Sequence, residues 1–266
     1  MPRTRPLQGQ APRGSYFGRA GDGRRTDLSQ AIFPIVTQQQ DGLFVAIGTG
    51  FFVAENGVFV TAAHVVQAIL DQNGNATGPF GIFQFLPNGR YYVRPIHRTT
   101  HHRIADVAVG VAAPMDHNGT KAPLPNKLLT LAVEPPILGS RVCTYAYPKT
   151  DIQAGRPQTV RFEPAFFDGQ LLEHHPNGRD KVVLPGPCFR TTMVVHGGAS
   201  GGPVVGPDGT VFAINSTGFE DEELSYVSCI SEVLDLEIPG VSLPGSPTPR
   251  STSLRELADH GFVHRR

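Results

Sequence analysis

Turn-forming residues divide this chain into short segments, and this feature restricts its fold more than any other. The 266 residues include 30 glycines and 24 prolines. Such a density of turn formers and helix breakers favours many short strands over long helices. With 39% hydrophobic and 17% charged residues, the chain has the composition of a globular protein. The sequence therefore predicts a globular all-β fold.

Short β-type runs follow one another from residue 31, in two sets. About six runs lie within residues 31–113 and about six more within 140–231. Between the two sets, residues 114–128 are rich in proline and turn formers, as expected of an interdomain connection. We therefore predict two six-stranded antiparallel β-barrels. The N-terminal barrel would span 31–130 and the C-terminal barrel 131–238.

The two ends of the chain differ in composition from the barrels. The first 25 residues carry six arginines and one acid, so we interpret residues 1–30 as a flexible basic arm. A short C-terminal helix is predicted at 231–238, with Ser231 as its N-cap. Residues 239–266 are interpreted as a Pro/Ser-rich tail, within which 253–263 could form a loosely docked helix.

Bulk properties indicate few partners. The formal net charge is zero, which gives no reason to expect a nucleic acid partner. No apolar run approaches the roughly 18 residues that span a membrane. The Arg24-Arg25 pair and the apolar residues 31–36 would suit a twin-arginine export signal, but that run is short and contains Pro34. The sequence favours a cytoplasmic protein and leaves export open.

The three cysteines are an odd number and lack CxxC spacing, which argues against a zinc site or a disulfide framework. They are Cys143, Cys188 and Cys229. Each lies in an apolar or β-like segment, as a buried free thiol would, although one pair could still be bridged. The histidines at 97, 101–102 and 174–175 are not spaced as metal ligands with a carboxylate. We therefore expect neither a metal nor a cofactor.

Three separate segments carry residues typical of nucleophilic catalysis. A Thr-Ala-Ala-His sequence ends on His64, Asp106 starts a later apolar run, and Ser200 lies within the glycine-rich residues 197–202. Acyl transfer from a peptide requires a hydroxyl nucleophile, a base that takes its proton, and a carboxylate that fixes the tautomer of the base. No member is diagnostic alone. Their joint occurrence predicts a His-Asp-Ser triad.

The glycines around Ser200 suit a second requirement, donors for the developing oxyanion. Gly198 can adopt a backbone conformation that turns its N–H toward a substrate carbonyl. The N–H groups of Gly198 and Ser200 are therefore the predicted oxyanion hole.

The order His, Asp, Ser and the local motifs resemble the trypsin/chymotrypsin clan of serine proteases. The motifs are GTGFFVAENGVFVTAAHVV before and around His64, ADVAVG at Asp106, GASGGPVV at Ser200 and GPDGTVFAINSTG after it. They are most similar to the bacterial, disulfide-free HtrA-like branch. In this sequence, no PDZ-sized segment follows residue 238. The resemblance covers roughly residues 31–238 and implies a serine endopeptidase acting on protein or peptide substrates.

One departure from the trypsin branch bears on activation. That branch has an aspartate before the nucleophile, which pairs with a freshly cut N-terminus to build the oxyanion hole. This chain has Ala199 there. Because alanine cannot make this pair, activation by N-terminal processing through it is excluded.

The resemblance also implies which residues line the pocket for the P1 side chain, the one before the cleaved bond. They are Val194, Val195, Asn215, Ser216, Thr217 and Gly218. None is a carboxylate, so we expect a small or apolar P1 residue rather than lysine or arginine. His196, near this pocket, could instead attract an acidic P1 side chain.

Two other functions fit the same residues. A non-catalytic member would use the cleft to bind peptides or partners, since a fold does not guarantee an activity. A latent protease would wait for an activating protein partner to reshape its loops. Reaction with an active-site serine probe separates these alternatives.

Overall fold

The structure is a computed structural model, and it describes residues 16–39, 41–72, 74–86, 89–116, 123–153, 159–219, 224–241, 243 and 251–266. Within them, two closed barrels contain six antiparallel strands each. This confirms the predicted all-β double barrel. None of the helices in these ranges is long and apolar enough to cross a membrane.

Sixteen strands and two short α-helices make up the described chain. They are β1 (Gly18–Arg19), β2 (Arg25–Thr26), β3 (Ile32–Gln38), β4 (Phe44–Phe52), β5 (Val58–Thr61), α1 (Ala63–Gln67), β6 (Phe80–Phe85), β7 (Tyr91–His101), β8 (Ala108–Ala112), β9 (Arg141–Gln153), β10 (Thr159–His175), β11 (Cys188–Thr191), β12 (Pro203–Val205), β13 (Val211–Phe219), β14 (Leu224–Cys229), β15 (Glu237–Ile238), β16 (Thr252–Ser253) and α2 (Leu254–Asp259). The N-terminal barrel has the order β3-β4-β5-β8-β7-β6, and the C-terminal barrel β10-β11-β14-β13-β12-β9.

Aromatic rings fill the N-terminal barrel. The ring of Phe33 lies 4.5 Å from that of Phe52 and 5.5 Å from that of Phe59, centroid to centroid. Gly110 on β8 makes room for this cluster, because a Cβ there would lie 2.3 Å from the Phe59 ring. The packing explains why a glycine interrupts an otherwise apolar strand.

The two barrels share one hydrophobic cluster. Residues of the N-terminal barrel, such as Phe51 and Val60, belong to the same cluster as Val205 and Ile214 of the C-terminal barrel. Burial of this shared surface is the main force holding the barrels together. The site described below lies where loops of both barrels meet.

The C-terminal residues are packed more closely than predicted. The helix predicted at 231–238 is shorter than expected: a 3₁₀ helix, Ile230–Val233, has Cys229 rather than Ser231 as its N-cap, and β15 follows it. The α-helix is α2, whose N-cap Ser253 accepts a hydrogen bond from the Glu256 N–H at 3.1 Å. Leu254 and Leu257 are fully buried in the shared cluster. The helix is therefore part of the core rather than a loosely docked tail.

Part of the basic arm is also folded. Strands β1 and β2 form an antiparallel pair, and the Arg19 N–H donates to the Gly209 carbonyl of the C-terminal barrel at 2.8 Å. Leu28 is buried in the shared cluster. The flexible arm predicted for residues 1–30 is thus wrong for residues 16–30, and residues 1–15 lie outside the described part.

All three thiols are free and buried. Burial raises the pKa of Cys229 to about 12 and also raises the pKa values of Cys143 and Cys188. Raised values keep a thiol protonated and unreactive. These cysteines therefore serve as apolar core residues.

Candidate active site

The fold brings the three predicted catalytic residues to one cleft. His64 lies in α1 directly after β5, Asp106 in the loop between β7 and β8, and Ser200 in the loop between β11 and β12. All three line a cleft of about 670 Å³. Two of them come from the N-terminal barrel and the third from the C-terminal barrel.

His64 and Asp106 form a tight pair. The ring Nδ1 of His64 lies 2.8 Å from Asp106 Oδ2 and 3.0 Å from Oδ1. The backbone N–H of His64 also donates to Asp106 Oδ1 at 3.0 Å. The side chain of Asp106 is only 14% exposed, whereas that of His64 is 48% exposed. The carboxylate is thus enclosed while the imidazole remains open to the cleft.

Asp106 has a third donor that the sequence did not reveal. A register shift between Asn215 and Thr217 interrupts the β13–β14 pairing, and such a bulge redirects side chains. The Ser216 hydroxyl, which we predicted only to line the P1 pocket, donates to Asp106 Oδ2 at 2.5 Å. The bulge therefore connects the C-terminal barrel to the His64–Asp106 pair.

These contacts decide the charge of Asp106. Burial alone would raise its pKa, but hydrogen bonds from the His64 ring, the Ser216 hydroxyl and the His64 N–H, together with attraction to His64, hold the pKa below its usual value. Asp106 is therefore ionised at neutral pH. An ionised carboxylate favours the tautomer with the proton on Nδ1 of His64.

The loop that carries Asp106 is fixed by another histidine. His102 Nδ1 accepts hydrogen bonds from the N–H groups of Ile104 and Ala105, at 3.2 and 2.8 Å. Gly186 packs against the other side, where a Cβ would lie 2.5 Å from the Ala105 Cα. His102 thus shapes the loop, a role that the sequence did not suggest.

The Ser200 hydroxyl faces the same cleft but is not bonded to His64. Among the described residues its hydrogen-bond partner is the carbonyl of Ser216, at 3.2 Å. Hydrogen bonds between catalytic groups often tighten only when substrate is bound. The structure thus places Ser200 in the same cleft as the pair, where Ser216 is bonded both to Ser200 and to Asp106.

A tight turn precedes Ser200. It is closed by a hydrogen bond from the Ala199 N–H to the His196 carbonyl at 3.2 Å. Its third residue, Gly198, has φ +88°, which is the type II form of the turn. A Cβ on Gly198 would lie 2.8 Å from the Pro148 carbonyl oxygen. Both the dihedral angle and the space require glycine at this position.

The predicted P1 residues divide into two groups. Five of the six line the cleft, whereas Val194 is not among its described lining residues. The five are Val195, Asn215, Ser216, Thr217 and Gly218. The Asn215 side chain is buried and donates to Thr144 Oγ1 at 2.8 Å and to the Ala199 carbonyl at 3.3 Å. Its amide nitrogen therefore supports the turn before Ser200.

Two of the residues predicted to line the P1 pocket approach each other closely. A Cβ on Gly218 would lie 2.2 Å from the Val195 carbonyl oxygen. Behind this contact, Ser225 Oγ accepts a hydrogen bond from the Val195 N–H at 3.1 Å. Asp106 is the only carboxylate among the cleft residues that the structure describes.

The rest of the cleft wall is partly apolar. Ile104, Val182 and Val183 line it and are 58%, 86% and 51% exposed. Exposed aliphatic side chains grouped in a cleft are typical of a binding surface. In the described ranges, no three His, Cys, Asp or Glu residues are grouped closely enough to hold a metal ion.

Comparisons with solved structures agree on the fold. Deg5 covers 82% of this chain and 91% of its own, at 16% identity and a TM-score of 0.58. The active form of the Rv3671c protease from M. tuberculosis covers 77% and 78%, at 18% identity and a TM-score of 0.54. Its inactive form covers 77% and 86%, at 21% identity and a TM-score of 0.50. At such identities these similarities establish the fold alone.

The sequence itself establishes the family. No curated protein sequence matches significantly. The family model of the trypsin-like peptidase domain matches residues 48–214, a range that includes His64, Asp106 and Ser200. The chain therefore belongs to the trypsin-like peptidase family and is a hydrolase of the serine protease type, with protein or peptide substrates.

Proposed function

We propose that this protein is a serine endopeptidase in which His64, Asp106 and Ser200 form the catalytic triad. One observation carries the proposal. The imidazole of His64 is bonded at 2.8 Å to an enclosed carboxylate and opens into the cleft that Ser200 lines. This arrangement supports a base that shares its cleft with a hydroxyl nucleophile.

The proposed mechanism begins at the His64–Asp106 pair. With its Nδ1 proton directed to Asp106, His64 accepts the Ser200 proton on Nε2 while Ser200 Oγ attacks the substrate carbonyl. Asp106 stabilises the resulting imidazolium, and the N–H groups of Gly198 and Ser200 bind the oxyanion. His64 then donates the proton to the leaving amine, and water hydrolyses the acyl-enzyme through the same steps.

A substitution of the nucleophile tests the triad. Ser200→Ala should remove labelling by a fluorophosphonate probe and lower peptide hydrolysis by about 10⁴-fold or more, while the melting temperature stays close to that of the wild type. Ser231→Ala, which replaces an exposed serine, is the matched control and should label normally. Labelling that survives in Ser200→Ala would show that the nucleophile is another residue.

We propose a small or apolar P1 residue. Gly218 approaches the Val195 carbonyl closely, and none of the residues predicted to line the pocket is a carboxylate. The exposed Ile104, Val182 and Val183 suit apolar side chains elsewhere in the substrate. A panel of chromogenic peptides that vary only at P1 should show Ala, Val or Leu cleaved fastest. Fastest cleavage after Arg would contradict this preference. Fastest cleavage after Glu would instead support the role of His196.

A second candidate is a latent protease that a protein partner activates. It is favoured by the hydrogen bond of the Ser200 hydroxyl to Ser216 rather than to His64. Labelling of the purified protein separates the two candidates, since a latent enzyme reacts slowly alone.

The cytoplasmic location stays a prediction, which cell fractionation can test.

A further inference from the structure

Three consecutive carbonyl groups before and at the proposed nucleophile are all held by buried donors. The Gly198 carbonyl accepts from Thr49 Oγ1 at 3.0 Å, and the Ser200 carbonyl accepts from the Thr49 N–H at 2.8 Å. The Ala199 carbonyl accepts from the Gly202 N–H at 3.0 Å and from Asn215 Nδ2 at 3.3 Å. All three carbonyls therefore point into the protein.

The donor on two of these carbonyls comes from the other barrel. Thr49 lies on β4 of the N-terminal barrel and is fully buried. Its hydroxyl also accepts a hydrogen bond from the Tyr147 N–H at 3.0 Å. Because a backbone N–H can only donate, the hydroxyl proton of Thr49 must be directed to the Gly198 carbonyl. The orientation of this hydroxyl is therefore fixed by its two partners.

The position of the carbonyls determines where the N–H groups point. In a trans peptide the C=O and N–H bonds point in opposite directions. The Ala199 carbonyl points to the buried Asn215, so the N–H of Ser200 points the other way, toward the cleft. The type II turn sets the peptide between Gly197 and Gly198, which carries the other predicted oxyanion donor. Asn215 therefore orients the peptide that carries the Ser200 N–H, whereas Thr49 holds the peptides on either side of it, whose N–H groups belong to Ala199 and Gly201.

We infer that Thr49 is a positioning residue for the proposed oxyanion hole, with Asn215 as its counterpart on the C-terminal barrel. The two neutral side chains hold the loop at the place where the trypsin branch uses an aspartate and a new N-terminus. The hole is therefore assembled without N-terminal cleavage. This inference rests on the proposed function, because it concerns the same reaction.

Two substitutions at Thr49 test the role of its hydroxyl. Thr49→Val keeps the shape and removes the hydroxyl, whereas Thr49→Ser keeps the hydroxyl. We expect Thr49→Val to lower kcat by about 10- to 100-fold with KM within about twofold, because oxyanion donors act in the transition state. Thr49→Ser should stay within about threefold of the wild type. Active sites are counted by fluorophosphonate titration, so that only folded enzyme enters kcat.

A transition-state mimic separates positioning from general stability. A peptidyl boronic acid forms a tetrahedral adduct, and its affinity should fall in Thr49→Val by the same factor as kcat/KM. The pH profile of kcat/KM should not move, since the His64–Asp106 pair is untouched. Thr130→Val is the control: it removes another buried hydroxyl, one that donates to the Ala20 carbonyl, and should lower the melting temperature without changing kcat.

The outcomes are distinguishable. A Thr49→Val enzyme that melts lower but has wild-type kcat and boronate affinity overturns this inference and leaves the proposed function intact. A wild-type protein that neither hydrolyses peptides nor reacts at Ser200 overturns both. If Thr49→Val does not fold, Thr49→Ala gives the same comparison with Thr49→Ser.

Discussion

The two halves of the candidate site are held in different ways. In the acid–base half, a charge is the centre: the Asp106 carboxylate accepts from the His64 ring, the His64 N–H and the Ser216 hydroxyl. In the nucleophile half, neutral donors hold backbone carbonyls, as Thr49 does at Gly198. A buried charge needs many donors, whereas an oxyanion hole needs free N–H groups. The acid–base half therefore saturates a buried charge, whereas the nucleophile half saturates backbone carbonyl groups.

The largest effect is expected from removing the charge. Asp106→Asn should lower kcat by about 10⁴-fold, because the asparagine amide would donate toward His64 Nδ1 and favour the wrong tautomer. Steady-state hydrolysis of a chromogenic peptide measures it. Asp168→Asn removes another carboxylate, one whose side chain is 8% exposed and accepts from Tyr16 and Arg141, and should keep full activity. An Asp106→Asn enzyme within tenfold of the wild type would remove Asp106 from the triad.

The nucleophile half is most sensitive at Gly201. This residue has φ +83°, and a Cβ would lie 2.2 Å from Thr61 Oγ1 and 2.3 Å from the Thr49 carbonyl. Gly201→Ala should destabilise the fold by about 3 kcal/mol or more and abolish labelling of Ser200. Gly197 is the matched control, because a Cβ there meets no atom within 4 Å. Urea denaturation of both variants measures the difference, and equal stabilities would contradict the packing described.

Much of the site was predictable because its motifs are local. His64, Asp106 and Ser200 each lie in a short segment with its own pattern, and the glycines near Ser200 show where the backbone must turn. The alternation of short strands and turns likewise predicted both barrels. In these cases the physical requirement is met by neighbours in sequence.

The supporting residues were not predictable because their partners are distant in sequence. Thr49 and Gly198 are 149 positions apart, and Ser216 and Asp106 are 110 apart. Thr49 reads as an ordinary strand residue, and the role of Ser216 depends on a bulge that has no sequence signature. The predictions for the two ends of the chain were wrong for a similar reason, since Leu28 and Leu254 are buried by long-range contacts.

Ser216 joins the two halves, and its substitution should have an intermediate effect. Ser216→Ala removes one of the donors to Asp106 and should lower kcat about tenfold, as expected for a hydrogen bond to a charged group. The pKa of Asp106 should rise because its carboxylate loses a donor, and titration of this carboxyl followed by NMR measures the change. Ser231→Ala should change neither quantity. A loss of kcat with an unchanged Asp106 pKa would show that Ser216 acts on the substrate instead.

The smallest expected effect is on the free energy of unfolding at low pH. It distinguishes the acid–base half of the site, which contains a charge, from the nucleophile half, which is held by neutral donors. Because the folded pKa of Asp106 is lowered, its contribution to stability is present above the unfolded pKa and is lost as pH falls through the folded pKa. The stability difference between wild type and Asp106→Asn should therefore narrow below about pH 4. Thr49→Val alters no titrating group, so the stability difference between wild type and Thr49→Val should stay constant over this pH range. Urea denaturation between pH 7 and pH 3 measures both, and parallel behaviour of the two variants would contradict the assignment of the charge.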